Sequence, residues 1–230
     1  MKRSKKYVEA SSKVENKKYT KDEAIKLVKE LATAKFDETV ELSLNLNLDT
    51  KKSDQQLRGA TVLPNGIGKT KKVLVIAKGA KATEAKEANA DYVGDTDMID
   101  KIANENWFDF DTLIATPDMM PALGKIGRVL GPRGLMPNPK TGTVTMDVKK
   151  AVEDVKKGRV EYRADSYGNV AVSIGKASFD ADKLLGNLDA FVSLINKTKP
   201  SVVKGKYVKS VTISSTMGPG IKIDETEFEI

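Results

Sequence analysis

Two kinds of apolar pattern divide the chain and limit the folds that it can adopt. Between Val40 and Leu48, apolar side chains alternate strictly with polar ones, which predicts a β-strand with one buried and one solvent-facing side. Between Val73 and Ala77 every side chain is apolar, a pattern typical of a parallel strand that is buried on both faces. Alternation returns after Gly158. The two ends of the chain therefore resemble each other more than they resemble the middle.

The outer segments predict one split α+β domain, made of residues 1–67 and 160–230. We expect strands near positions 40, 160, 170 and 210 to form one antiparallel sheet. Two helices should back this sheet. The first begins at the Thr20–Glu23 capping box and runs to about Thr33, and the second spans about residues 180–198.

The first 19 residues differ from the rest of this predicted domain. They carry seven basic and two acidic side chains with almost no apolar periodicity, so we expect a basic, partly disordered arm. Such an arm can bind phosphates, but solubilising tails have the same composition. The sequence leaves both interpretations open.

The middle segment, residues 68–159, alternates strands with helices and predicts an inserted, Rossmann-like domain with a doubly wound parallel sheet. The chain is thus expected to be a two-domain α/β protein. Between Met119 and Met146 there is no acidic residue, while prolines and glycines are frequent, so we expect an irregular basic loop. Glycines occur at both crossings between the predicted domains. A double hinge is expected there, at Gly66, Gly68 and Gly158.

The residue types that are missing exclude most catalytic chemistry. The chain has neither cysteine nor histidine, which removes thiolate nucleophiles, disulfides, the usual general base and the usual metal ligand. Gly68-Lys69-Thr70 ends like a phosphate-binding loop, but position 63, where that loop requires glycine, is leucine. We therefore predict no enzyme activity, no catalytic residue, no cofactor, no metal site and no small-molecule substrate.

Hydropathy argues against a membrane protein. No apolar run approaches the roughly 20 residues needed to span a bilayer, and the polar start of the chain lacks the apolar core of a signal peptide. We predict a soluble, intracellular protein that has no membrane partner, and the absence of cysteine suits a reducing cytoplasm.

Positive charge is concentrated locally. A net charge of +7 is modest for 230 residues, but the segment from Ala190 to Ile223 holds six lysines and no acidic residue. Such a field attracts phosphate, although a solvated, lysine-rich edge has the same pattern. The strand from Tyr207 to Ser215 is expected to present a hydroxyl-rich face to ribose and phosphate groups. That face comprises Val208, Ser210, Thr212, Ser214 and Thr216.

Two motifs carry a resemblance to a known family. Ser215-Thr216-Met217-Gly218-Pro219-Gly220 follows the lysine-rich strand, and the segment from Met120 to Lys140 reads MPALGKIGRVLGPRGLMPNPK. Both resemble the ribosomal protein L-one family of the bacterial type, the lateral-stalk proteins of the large ribosomal subunit. The resemblance extends over nearly the whole chain and is weakest before Thr20. It implies a split domain with a parallel-sheet insertion.

The resemblance also implies a function. As a constituent of the ribosome, the chain should bind the stalk helices of large-subunit ribosomal RNA (rRNA). It should also contact transfer RNA (tRNA) at the exit site, assist its release, and repress translation of its own operon messenger RNA (mRNA). The residues that match the family's RNA-binding surface are Lys35, Phe36, Asp165, Ser166, Tyr167, Ser214, Thr216, Met217 and Gly218. The basic loop adds Lys125, Arg128 and Arg133 as a secondary RNA contact, although this loop can equally serve packing between domains.

Three alternatives remain open at this point. Phe36 follows the first predicted helix and would be a core residue if it is buried, as isolated phenylalanines usually are. The competing functions are a nucleotide-dependent enzyme and a general RNA chaperone that binds by charge alone. A shape-reading protein keeps its preference for stalk RNA as salt rises, whereas a charge-only binder loses affinity for all RNA in parallel.

Overall fold

The computed structural model describes residues 4–52 and 55–228 and contains two compact units. We call Met1–Gly68 together with Val160–Ile230 the outer unit, and Lys69–Arg159 the inserted unit. The helices are α1 (Lys5–Ser12), α2 (Lys21–Leu31), α3 (Ala80–Glu87), α4 (Thr96–Glu105), α5 (Met120–Lys125), α6 (Gly127–Leu130), α7 (Val148–Lys156) and α8 (Ala181–Lys197). The strands are β1 (Thr39–Leu46), β2 (Arg58–Val62), β3 (Val73–Ile76), β4 (Tyr92–Gly94), β5 (Thr112–Ala115), β6 (Arg159–Arg163), β7 (Asn169–Lys176), β8 (Val208–Ser215) and β9 (Ile221–Ile223). Short 3-10 helices lie at Pro117–Met119, Pro139–Thr141 and Glu225–Phe228.

The outer unit is built on a four-stranded antiparallel sheet with the strand order β7-β1-β8-β9. Its inner face carries the alternating apolar side chains, and α2 and α8 pack against that face. Val40, Leu42 and Leu44 are buried, whereas Glu41 and Ser43 between them are exposed. The sheet therefore has one dry and one wet face, which confirms the prediction from alternation.

Helix α2 begins where the sequence predicts. Thr20 Oγ1 accepts the Glu23 amide at 3.3 Å, and the Glu23 carboxylate accepts the Thr20 amide at 3.4 Å. This capping box satisfies two backbone donors that the first helical turn leaves without partners. The buried stripes of the two helices comprise Ala24, Ile25, Val28 and Leu31 of α2, and Leu184, Leu188, Phe191, Val192 and Ile195 of α8.

The prediction that the strand near position 160 joins the main sheet is wrong. β6 pairs with β2 in a separate two-stranded sheet, and β9 takes the fourth place in the main sheet. Val160 and Tyr162 are nevertheless buried in the outer core, where the Tyr162 ring meets Phe191 edge-on at 5.4 Å between centroids. Alternation indicates which side chains are buried but not which strand lies alongside.

The segment before α2 is ordered, and the prediction of a partly disordered arm is wrong for its described residues. Ser4 caps α1 by accepting a backbone N–H of the first turn at 3.3 Å, and Ala10 is buried against the core. The Tyr19 amide donates to the Lys222 carbonyl and its own carbonyl accepts the Asp224 amide, both at 2.9 Å. Contact of a few apolar side chains with the core is enough to attach the segment. Positions 1–3 of the predicted arm lie outside the described residues.

The inserted unit is a three-stranded parallel sheet, with the order β4-β3-β5 and helices on both faces. Val73 and Val75 face a core built with α3 and α7, whereas Leu74 and Ile76 face a second core built with α4, α5 and α6. All four side chains of β3 are buried. The two-sided burial predicted from the continuous apolar run is thereby confirmed.

The segment from Met119 to Met146 is not an irregular loop, and that prediction is wrong. It contains α5, α6 and the 3-10 helix at Pro139–Thr141. Apolar side chains recur there every three or four residues and are all buried: Met119, Leu123, Ile126 and Leu130. This helical stripe outweighs the glycines and prolines, each of which lowers helix propensity.

Two further properties of residues 4–52 and 55–228 bear on function. No helix in them is both long enough and apolar enough to cross a bilayer. Their acidic side chains form no cluster of three that would suit a metal ion.

Candidate nucleic-acid interface

Two loops meet where β1 begins and β8 ends. The register of these strands brings Thr39 beside Thr216. The Thr39 amide donates to Thr216 Oγ1 at 3.0 Å, and that hydroxyl donates to the Thr39 carbonyl at 3.3 Å. We call the joined loops, residues 34–38 and 216–218, the Glu38 end of the sheet.

Glu38 fixes these two loops to each other. The residue is only 1% exposed, and no basic side chain lies within salt-bridge distance of it in the described part of the chain. One carboxylate oxygen accepts the Ala34 amide and the other accepts the Met217 amide, both at 2.9 Å. Burial alone would raise the pKa of Glu38, but these amide hydrogen bonds outweigh it and hold the pKa below its ordinary value. An ionised, buried carboxylate thus satisfies one backbone donor from each loop.

The fixed loops present large apolar side chains to solvent. Phe36 is 56% exposed and Met217 is 62% exposed, and Lys35 lies in solvent next to Phe36. Phe36 is therefore not a core residue, which rules out that alternative. Large apolar side chains that stay exposed on restrained loops are typical of a binding surface. The free energy of burying them is gained only when a partner covers them.

The Asp165–Gly168 turn closes the opposite end of the sheet. Asp165 Oδ1 accepts the amides of Tyr167 and Asn169, both at 2.8 Å, and Oδ2 accepts Asn169 Nδ2 at 3.0 Å. These bonds, led by the one from the Asn169 side chain, hold the pKa of Asp165 below its ordinary value. The Tyr167 ring is left in solvent, 80% exposed. The carboxylate of Asp165 is thus occupied in shaping the turn that displays Tyr167.

This turn is tied to the chain that leaves β1. The Leu46 amide donates to the Gly168 carbonyl at 2.9 Å, and the Thr50 hydroxyl donates to the Ser166 carbonyl at 2.8 Å. We call residues 46–50 and 165–168 the Tyr167 end of the sheet.

The structure does not bring the predicted RNA-binding residues into one cluster. Along β1, Thr39 pairs with Lys176 and Asn45 pairs with Asn169, so the two ends lie at opposite ends of the strand. At ~3.3 Å per residue they are roughly 20 Å apart. The Glu38 end holds Lys35, Phe36, Thr216, Met217 and Gly218, with Ser214 just inside the sheet. The Tyr167 end holds Asp165, Ser166 and Tyr167.

The wet face of the sheet, which we call the open face, connects the two ends. At its centre, Ser43 lies opposite Thr212 of β8 on one side and the small Ala171 of β7 on the other. The predicted hydroxyl face is present at Ser210, Thr212 and Ser214, which are exposed or half-buried. Val208 does not belong to it. A register shift between Asn45 and Leu46 turns Val208 into the core.

Comparison with known proteins identifies the family of the chain. The profile of the Ribosomal protein L1p/L10e family matches residues 28–219. The chain belongs to this family. It is 59% identical over 227 residues to the large ribosomal subunit protein uL1 of Macrococcus caseolyticus (strain JCSC5402), with 98% of each chain covered. It is also 59% identical over 222 residues to the large ribosomal subunit protein uL1 of Mycoplasma capricolum subsp. capricolum, with 96% of this chain and 98% of the relative covered. The motif resemblance and the prediction of a non-enzymatic protein are thereby confirmed.

In this L1p/L10e-family chain, the predicted secondary contact lies on the inserted unit. Lys125 ends α5, Arg128 lies in α6, and all three basic side chains of the contact are exposed. The Arg133 guanidinium stacks on Phe108, with 3.7 Å between its carbon and the ring centroid. This stacking restrains the irregular stretch that carries Arg133.

The predicted hinge glycines adopt backbone conformations that favour glycine. Gly66 and Gly68 have φ of +64° and +69°, and Gly158 has φ of +98°. Gly66 is held within the outer unit, since its carbonyl accepts Asn187 Nδ2 at 2.8 Å. Gly158 ends α7, where its amide donates to the Val155 carbonyl at 3.2 Å. Their role as a hinge stays a prediction.

Sequence reasoning missed two buried polar residues of this family member. Glu38 is not among the predicted site residues. Asn187 is fully buried in α8, where it accepts the Asn65 amide at 3.0 Å and donates to the carbonyls of Gly66 and Ile174. A polar residue inside the apolar stripe of α8 was the available signal for Asn187. No comparable local signal marks Glu38.

Proposed function

We propose that the chain is a structural constituent of the large ribosomal subunit that binds the stalk region of large-subunit rRNA through the outer unit. The observation that carries this proposal is the Glu38 end, where Phe36 and Met217 stand in solvent on loops that a buried carboxylate holds together. Membership of a ribosomal protein family supports rRNA as the partner. A ribosome-bound location in the cytoplasm follows from the same proposal.

The open face suits a structured RNA better than a flexible one. Double-stranded RNA is recognised mainly by shape and by 2'-hydroxyl and phosphate contacts across its shallow groove. Ser43, Thr212 and Ser214 supply hydroxyls on a rigid sheet, and Phe36 and Met217 add apolar surface for packing on ribose or base. The rigid spacing between these groups would favour one RNA shape over others.

Two finer roles belong to the same proposal. Through the inserted unit, with Lys125, Arg128 and Arg133 exposed, the chain would contact tRNA at the exit site and assist its release. Flexing at Gly66, Gly68 and Gly158 would accompany that release. The chain would also repress translation of its own operon mRNA, because a site that reads shape binds any RNA with the same fold. The family resemblance supports both roles.

The competing enzyme function has little support. In a phosphate-binding loop the chain continues into a helix, whereas here it continues into β3. Lys69 is paired with Asp111, with 2.8 Å between Nζ and Oδ1. The charge-only RNA chaperone is the alternative that experiment must exclude.

Substitution of Met217 tests the proposal. We expect Met217→Asp to lower the affinity of the full chain for a stalk rRNA fragment at least about tenfold, because charge replaces apolar contact, while affinity for a random duplex changes little. Val8→Asp is the matched control, since Val8 is 55% exposed on α1 and is not one of the residues assigned to the proposed interface. Equal affinities of Met217→Asp and Val8→Asp for stalk RNA would refute the site. Equal affinity of the unmodified chain for both RNAs at every salt concentration would refute shape recognition.

A further inference from the structure

Four exposed lysines lie in the basic segment that runs from the end of α8 to the start of β8. Lys197, Lys199, Lys204 and Lys209 are all exposed. We call residues 197–209, which carry them, the lysine loop.

The lysine loop has a defined fold. Val203 is buried in the outer core, and its amide donates to the Pro200 carbonyl at 3.0 Å. Lys199 Nζ donates to the Gly205 carbonyl at 2.9 Å, which closes the loop on itself. The four lysines are therefore carried by the end of α8, an anchored turn and the start of β8, so that a ligand would meet them on a backbone of defined structure.

The charge of this loop is largely uncompensated. Elsewhere in the outer unit, lysines pair with carboxylates, as in Lys13–Glu30, Lys21–Asp189 and Lys183–Asp180. Within the loop, Lys206 pairs with Glu225 at 3.1 Å. Across residues 4–52 and 55–228, the other four loop lysines have no carboxylate within salt-bridge distance. Positive charge that the protein does not neutralise attracts a polyanion, and releasing the counterions of the polyanion drives binding.

The loop lies at the end of the sheet that Phe36 and Met217 do not occupy. Val208, at the start of β8, pairs with Leu46, and the Tyr207 carbonyl accepts the Asn47 amide at 2.7 Å. The lysine loop therefore adjoins the Tyr167 end.

We propose that the lysine loop is a second RNA contact, which binds backbone phosphates and does not read RNA shape. It rests on the proposed function, because it requires that an RNA lies along the open face. The two contacts then have different roles. The Glu38 end selects the RNA, and the lysine loop adds affinity and makes binding depend more strongly on salt. An acidic protein surface is the competing partner, and a loop that binds one would leave the salt dependence of RNA binding unchanged.

The test replaces three loop lysines and compares the salt dependence of binding. The full chain with Lys197→Gln, Lys199→Gln and Lys204→Gln is titrated with a stalk rRNA fragment and with a random duplex of equal length, at several KCl concentrations. The matched control carries Lys13→Gln, Lys26→Gln and Lys183→Gln, which remove the same charge from exposed positions in or directly after helices of the outer unit.

We expect the loop variant to bind both RNAs more weakly by the same factor. Its slope of log affinity against log salt should fall by roughly 2 to 3, at about 0.7 to 0.9 per lost phosphate contact. The ratio between the two RNAs should not change. A slope equal to that of the control variant would overturn the proposal, whether the loop is merely solvated or binds a protein. If instead the unmodified chain bound the stalk rRNA fragment and the random duplex with equal affinity, the proposed function would be overturned. The two failures are therefore distinguishable.

Discussion

The two ends of the main sheet use the same chemistry for different purposes. At each end one carboxylate accepts two backbone amides and has a lowered pKa. Asp165 serves amides two and four residues away and is exposed to solvent, whereas Glu38 is buried and reaches the Met217 amide, 179 residues along the chain. A carboxylate can thus shape a local turn or join distant segments, and burial makes the joining carboxylate far more costly to lose.

The largest difference between the ends should appear on truncation of each carboxylate. Glu38→Ala leaves two part-buried amides, of Ala34 and Met217, without their acceptor, and we expect a loss of about 2 to 4 kcal/mol in the free energy of unfolding. Asp165→Ala should cost less, because water replaces the lost acceptor. Urea denaturation of both variants measures this. Equal losses would contradict the contrast, and Glu41→Ala, an exposed position on β1, controls for removal of a charge.

Substitution of a glycine at each end should give the second-largest difference in stability. Gly168 has φ of +79°, and an added Cβ would lie 2.7 Å from the Leu46 carbonyl oxygen. We expect Gly168→Ala to cost about 1 to 3 kcal/mol, because neither the backbone conformation nor the carbonyl can adjust easily. At Gly218 the nearest atom is Ser215 Oγ, at 2.5 Å, which can rotate away. Gly218→Ala should therefore cost less than about 1 kcal/mol in thermal or urea unfolding, and the reverse order would be inconsistent with this geometry.

Lowering the pH should produce a smaller loss of stability, and the pH at which it occurs should differ between the two ends. Because the pKa of Glu38 is lowered in the folded state, its contribution to stability is complete above its ordinary pKa of 4.5 and is lost as pH falls through the folded value. We expect Glu38→Gln to flatten the decline in stability just below pH 4.5. Asp165→Asn should act only at lower pH, since the ordinary pKa there is 3.8. Urea midpoints measured between pH 6 and pH 3 test this, and unchanged profiles in both variants would speak against ionised carboxylates at these positions.

Local features of this fold were predictable from sequence, whereas long-range pairings were not. The Thr20–Glu23 capping box, the wet and dry faces of β1 and the buried run of β3 depend on neighbours within a few residues. The pairing of β6 with β2 joins segments whose patterns are compatible with several partners. Helices α5 and α6 were missed because glycine and proline content was given more weight than a four-residue apolar stripe.

In the candidate site, too, local features were predictable from sequence and long-range relations were not. Thr216, Met217 and Gly218 were identified by a contiguous motif, and the Asp165–Gly168 turn has the composition of a tight turn. Neither reveals that the two lie at opposite ends of one sheet, because their separation depends on the register of β1 with β7. The role of Glu38 could not be predicted, because it depends on the Met217 amide, which lies 179 residues away in the sequence.

The strand order also determines when the outer unit can fold during synthesis. β1 lies between β7 and β8, which leave the ribosome only after the whole inserted unit has been made. All strands of the inserted unit come from one continuous segment, so it can fold first while β1 waits without neighbours. Until β7 and β8 emerge, β1 has no strand to pair with, and Val40, Leu42 and Leu44 still lack the cover of α8. The nascent chain therefore carries an unpaired apolar strand that chaperones would bind.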